Sequence, residues 1–310
     1  MTKIETLWRN VTTDQWDADV LSLALAIKKS RRDRKGDPYF NCYVWSPSTK
    51  LESLISILQT LRMWVKAKGG SYRFIILIPH QPLVVGATLH WSLLDVNFGF
   101  FGSDETGRES IFCFDSVGGL RATEFFYQLQ EKLSDVNCYY YHCADAKLQA
   151  DHDNCAIFTF DIACTLTKLD VHETLLQRFT KSKKLTVFTQ LNFPVALARL
   201  LRSTQPKSTM LRYPKQLRNA TSVVPKDPQM TLESYIKSRD SRYNQANPTC
   251  RYSNILYLRS KYKMLMLDAL SKFQQPKQPE ALLAGRSAQK YLCDAVNDLL
   301  ADKENAFLSV

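Results

Sequence analysis

The chain has 310 residues, of which 45% are hydrophobic and 11% aromatic, enough for a full buried core and too apolar for a disordered polypeptide. It carries 41 Lys and Arg against 30 Asp and Glu, and no apolar run approaches the roughly 18 residues that cross a bilayer. The start, Met1-Thr2-Lys3-Ile4-Glu5, has no apolar signal segment, and 8 cysteines in so long a chain do not make a disulfide framework.

Asp14 to Lys29 places Trp16, Val20, Leu21, Leu23, Ala24 and Ile27 at helical spacing. Ser30 to Gly36 is a basic turn, and Tyr39 to Trp45 reads as a strand ended by Ser46-Pro47-Ser48. Thr49 to Lys66 is an amphipathic helix closed by Gly69-Gly70. Strands are predicted over Arg73 to Ile78, Ala87 to Phe98 and Ser110 to Phe114, with a hairpin loop from Gly99 to Gly107. Gly118-Gly119 breaks to a helix from about Arg121 to Leu133. Cys138 to Cys143 is a further strand, and Asn154 to Leu169 a further helix. Helices packed on a mixed sheet make an α+β core. After Val171 strands nearly vanish. Thr180 to Leu185 is basic, Phe193 to Leu201 helical, Pro206 to Pro228 rich in Pro, Lys and Arg, and Ile255 to Phe273 and Glu280 to Asp302 helical.

Three positions suit a cysteine nucleophile and its base: His90, Asp115 and Cys155. A thiolate attacks, an imidazole carries the proton, and a carboxylate holds the imidazole tautomer. The strands holding His90 and Asp115 are antiparallel neighbours that can set the two side by side. Cys155 falls in the first turn of its helix, which Asp153 or Asn154 can cap, and the positive helix end favours a thiolate. Gln149, upstream of Cys155, can donate to a developing oxyanion. Asp95 is five residues beyond His90, about 16 Å along a strand and on the opposite face, so it cannot orient that ring. His152 could touch Cys155 but has no carboxylate strand arranged around it. Cys138, His142, Cys143, His152 and Cys155 match no standard zinc spacing, and strand alternation splits them between faces. Cys42, Cys113 and Cys164 read as reduced core residues.

These residues resemble the ubiquitin-like-protease clan, whose chain order is His, acidic residue, Gln, Cys, and most closely the YopJ family of bacterial effector acetyltransferases. Tyr72-Arg73-Phe74-Ile75-Ile76 looks like the family's Arg-Phe-Ile strand. Ser203-Thr204-Gln205-Pro206-Lys207 with Leu211 and Tyr213 is similar to its His-Thr-Gln-x-Lys run, and Val223-Val224-Pro225-Lys226 to its Val-Val-x-Lys stretch. The chain departs from the family pattern at Asp115 (usually Glu), Ala156 (usually Gly) and Ser203 (usually His); Trp91 is more typical of the clan's proteases. The resemblance implies a papain-like, ubiquitin-like-protease core with a mixed central sheet over residues 1–170. The resemblance is joined by the change of character after Val171, which sets off an appended basic, mainly helical regulatory subdomain over 171–276 and a C-terminal helix over 277–310 expected to pack back on the core.

It further implies acetyl transfer from acetyl-CoA through Cys155 to Ser, Thr or Lys of a host protein, inositol hexakisphosphate as activator, and delivery into the host cytoplasm by a specialised secretion system. No DNA partner and no transmembrane segment are expected. Leu176 to Gln275 carries 19 Lys and Arg against 4 Asp and Glu, an excess larger than the +11 of the whole chain, so an anionic partner follows from charge alone. Candidate cofactor-binding residues are Lys207, Arg212, Lys215, Lys226, Arg259 and Lys261; Lys207 also matches a lysine self-acetylated in some relatives. Two other readings stay open: a protease for ubiquitin or a ubiquitin-like modifier, and a basic polyphosphate- or nucleic-acid-binding protein with a vestigial triad.

Overall fold

A computed structural model describes residues 3–33, 40–45, 51–80, 89–99, 109–117, 120–133, 138–143, 148–149, 154–179, 186–189, 191–204, 210–238 and 253–273. The predicted helix over Glu280 to Asp302 lies outside them. The centre is a six-stranded sheet in the order β1 (Cys42–Val44), β2 (Ser71–His80), β3 (His90–Gly99), β4 (Glu109–Asp115), β5 (Cys138–Cys143), β6 (Thr186–Phe188). The β2–β3 and β3–β4 pairs are antiparallel and the rest parallel, so the sheet is mixed as expected. β3, β4 and β5 are buried on both faces, which is why their sequences run apolar without clean alternation.

The two sheet faces carry separate cores. Phe74, Ile76, Leu94, Val96, Ile111 and Tyr140 point to one side, where α3 (Leu51–Lys68) and α4 (Leu120–Lys132) cover them. Ile75, Leu77, Trp91, Leu93, Phe112 and Tyr141 point to the other, against α2 (Ala18–Asp33) and α5 (Cys155–Leu166). Every residue of α5 except Asp161 is buried; a helix apolar all round belongs in the middle of a protein. Gly99 ends β3 opposite Ser71 with a φ of 105°, and a Cβ there would sit 1.9 Å from the Gly70 carbonyl oxygen, so only glycine fits this end of the β2–β3 register.

Beyond α5 come α6 (Val171–Phe179), β6, a 3-10 helix (Val195–Ser203), a one-turn helix (Lys215–Arg218), a helix over 232–238, and α7 (Ser253–Phe273). Among these β6 adds to the edge of the central sheet, and α7 lies against α5, where the Tyr262 ring stands edge-on to Phe160 at 4.5 Å. One family-like run is fastened here at two points. Ser203 donates to the Asp161 carboxylate on α5, and the Thr204 and Tyr213 hydroxyls hydrogen-bond at 3.0 Å. Lys207 lies outside the described residues. An unforeseen helix, α1 (Lys3–Thr12), buries Leu7 and Val11. No helix among the described residues is long and apolar enough to cross a membrane.

Candidate active site

His90, Asp115 and Cys155 converge. Asp115 ends β4 opposite Ser92 on β3, and strand alternation puts His90, one pleat away on the same face, within reach. His90 Nε2 lies 2.8 Å from Asp115 Oδ2. Cys155 is the second hydrogen-bonding neighbour of the ring. Asp115 is 1% exposed, and its other oxygen accepts the Val117 backbone N–H at 2.8 Å, so its direction is fixed from both sides. Burial opposes a charge on His90, but the hydrogen bonds and charges of Asp115 and Cys155 outweigh it and raise the ring to about 10. A charged imidazolium is the form of His90 this favours.

Gln149 belongs to the same cluster. The backbone N–H groups of Leu148 and Gln149 both donate to the Ser116 carbonyl, at 2.8 and 3.1 Å, which ties the segment before the nucleophile to the end of β4. The Ser116 hydroxyl donates to Gln149 Oε1 at 2.9 Å. That contact turns the amide so that Nε2 approaches Cys155 Sγ at 3.2 Å. Asp115 and Ser116, adjacent in sequence, therefore hold the His90 ring and the Gln149 amide respectively. An amide N–H aimed at the sulfur is placed to donate to the oxyanion of a tetrahedral intermediate formed on it.

Sequence reasoning missed His80. It ends β2 opposite His90, stacks on the His90 ring at 5.8 Å, and hydrogen-bonds Ser92 Oγ at 2.7 Å. The only signal was a histidine terminating an apolar run. The helix cap also differs from expectation: Asn154 holds the cap position, but its side chain makes no cap hydrogen bond, because Oδ1 accepts from Arg259 instead. Asp153 and His152 lie outside the described residues.

Asp95 is where alternation put it, on the other face and away from His90. It pairs with Arg73, with Nε at 2.9 Å from Oδ1, and with His172 Nε2 at 2.8 Å; Ser110 Oγ meets His172 Nδ1 at 2.6 Å. Arg73 also donates to the carbonyls of Leu166 and Leu169, at 2.9 and 2.7 Å, capping the C-terminal end of α5. The family-like Arg73 thus anchors the helix of Cys155 from its far end. Among the remaining cysteines, burial pushes Cys164 up to about 12 and Cys42 and Cys113 well above the usual thiol range, which suits core thiols. Cys138 and Cys143 face opposite sides of the sheet. His142 is wholly buried and lowered to about 4 by that burial.

Of the basic candidates, Arg212, Lys215, Lys226 and Lys261 are exposed. Arg259 is half-buried, with its guanidinium against Asp14 and Asn154.

A search of curated proteins returns no match. A solved structure of an AvrA deletion variant with IP6 and CoA is similar in fold, with a TM-score of 0.55 at 16% identity, covering 86% of this chain and 99% of that one. The family described as YopJ Serine/Threonine acetyltransferase matches residues 4–262. With a papain-like α+β core, a thiol–imidazole–carboxylate array and this match over most of its length, the chain belongs to the YopJ serine/threonine acetyltransferase family.

Proposed function

We propose that Cys155 carries an acetyl group from acetyl-CoA to a hydroxyl or amine of a host protein in two steps, activated by inositol hexakisphosphate, after a specialised bacterial secretion system has delivered the chain into the host cytoplasm. The observation that carries the mechanism is the array Asp115–His90–Cys155 with Gln149 on the sulfur. The thiolate attacks the acetyl carbonyl, Gln149 donates to the oxyanion, and the CoA sulfur leaves with the His90 proton. Acylation removes the negative charge that helped hold His90 protonated. Its pKa then falls, and the neutral ring takes the proton of the incoming hydroxyl. Collapse of the second intermediate returns the thiolate beside an imidazolium.

The donor and activator come to this chain from family membership and from the AvrA structure, which contains CoA and IP6. The residues suit the activator. Arg212, Lys215, Lys226 and Lys261 offer exposed cations in the basic half, and a compact polyphosphate needs several such groups from separate segments. Arg259 adds to that charge, and Lys207 is the candidate site of self-acetylation. We read residues 171–276 as the regulatory portion, applied to a core that spans 1–170; residues 277–310, expected to pack back on it, lie outside the described residues.

The test is incubation with radiolabelled acetyl-CoA, with and without inositol hexakisphosphate, beside a ubiquitin tail probe. Label transferred to protein only when the polyphosphate is present is the expected result. Modification of Cys155 by the tail probe without acetyl labelling would replace this reading with a modifier protease.

A further inference from the structure

The residue before the nucleophile is held by the far end of the chain. Asn154 occupies the cap position of α5, where an Asn side chain ordinarily accepts a first-turn backbone N–H. Here it makes no such bond, and its φ of −108° and ψ of 12° lie outside the extended cap geometry. Its Oδ1 accepts from Arg259 Nη1 at 3.0 Å, from a residue 105 positions later on α7. Arg259 is held in turn: Nη2 donates to the Asp14 carbonyl at 3.0 Å, and Nε lies 2.7 Å from Asp14 Oδ2. Asp14 is itself fixed, its other oxygen accepting Trp16 Nε1 at 3.0 Å. One turn along α7, Lys263 Nζ donates to the Thr12 carbonyl at 2.7 Å, so the helix carrying Arg259 is tied to the turn between α1 and α2.

We infer that Arg259 is a positioning residue for the acyl transfer: by engaging Asn154 Oδ1 it keeps that amide from capping the nucleophile helix. The backbone N–H groups at the start of α5 are the ones a developing oxyanion beside Cys155 would use. A capping amide oxygen competes for the same donors and neutralises the positive helix end facing the thiolate. Arg259 removes the competitor by offering it a charged donor, which is the stronger partner. The role rests on Cys155 as nucleophile, but it does not depend on which acyl group is carried.

The experiment is alkylation of Cys155 by iodoacetamide in the full chain, followed by mass spectrometry of the Cys155 peptide, so that no acyl donor is needed. Arg259→Ala should slow alkylation about tenfold, the scale of one helix cap, and lower acetyl-transfer kcat without raising the KM for acetyl-CoA. Adding Asn154→Ala to Arg259→Ala removes the competing amide and should restore alkylation to within about threefold of the unaltered protein. If Arg259→Ala fails to fold, Arg259→Gln with and without Asn154→Ala makes the same comparison. Unchanged alkylation in the single variant would overturn the inference, and so would a double variant as slow as the single one, since Arg259 would then act only as structural support through Asp14. Absence of acetyl transfer in the unaltered protein, with the alkylation slowing and rescue intact, would instead count against the acetyl-CoA reading alone.

Discussion

At the scale of residues, Asp115 and Cys155 act on one ring from opposite edges, and each can be removed separately. Asp115→Asn keeps the shape of a side chain that is 1% exposed but discards its charge and its control of the His90 tautomer. We expect acetyl-transfer kcat to fall by roughly a hundredfold or more, as when an orienting carboxylate is lost elsewhere; a normal rate, with Asp95→Asn inactive instead, would show the wrong carboxylate has been assigned. Cys155→Ala deletes two of the influences that raise His90 to about 10. Its titration, followed by the imidazole C–H resonance, should therefore move down toward neutrality, and an unmoved titration would mean that Asp115 alone holds the charge. His90 and Cys155 were readable in the sequence because a nucleophile at a helix start and a base on a strand leave local signatures. His80 was not, because its contact depends on β2–β3 register, which no local pattern displays.

At the scale of elements, α5 is fixed at both ends. Arg73 binds two carbonyls at its C-terminal end while pairing with the fully buried Asp95. Arg73→Ala would leave that carboxylate with the His172 hydrogen bond in place of its guanidinium, and breaking one side of such a buried pair costs about 3 kcal/mol or more, measurable by urea unfolding. Loss below about 1 kcal/mol would contradict the capping role. The sign of the pH dependence follows. Burial works to raise Asp95, but His172 and Arg73 outweigh it and hold it below the usual carboxylate range. Its contribution is then present above the unfolded pKa and lost as pH falls through the folded one, so Arg73→Ala should unfold at a higher pH on acidification than the unaltered chain. His90 behaves oppositely: raised to about 10, it contributes stability fully below its unfolded value near 6.5 and loses it on the alkaline side. The sheet strands were largely legible from apolar runs and turns. The three-residue β6 was not, since Thr186–Phe188 is a strand only because β5 offers an edge. By contrast α1 had a readable signal, with Ile4, Leu7, Trp8 and Val11 at helical spacing.

Across the whole molecule, the basic excess and the nucleophile occupy different parts of the chain but share α7. Arg259 joins Asn154 and Tyr262 packs on Phe160, while exposed Lys261 lies on the same helix. A polyphosphate that binds the folded form should raise the melting temperature at low salt and do so less at high salt. Reversing Lys215 and Lys226 to Glu should blunt both the shift and the activation; an unchanged shift would make these lysines a solvated face. Charge counting pointed to this half of the chain as the place for an anion, but not to which lysines converge, because convergence is set by tertiary packing.

The account stands most directly on whether Cys155 becomes acylated. Rapid acid quenching of the protein with acetyl-CoA and inositol hexakisphosphate, followed by peptide mass spectrometry, should find one acetyl group on the Cys155 peptide, removable by neutral hydroxylamine and missing in His90→Ala. Acetyl transfer to substrate that proceeds with Cys155 replaced by Ala, or with no hydroxylamine-sensitive acetyl on that peptide, would contradict it.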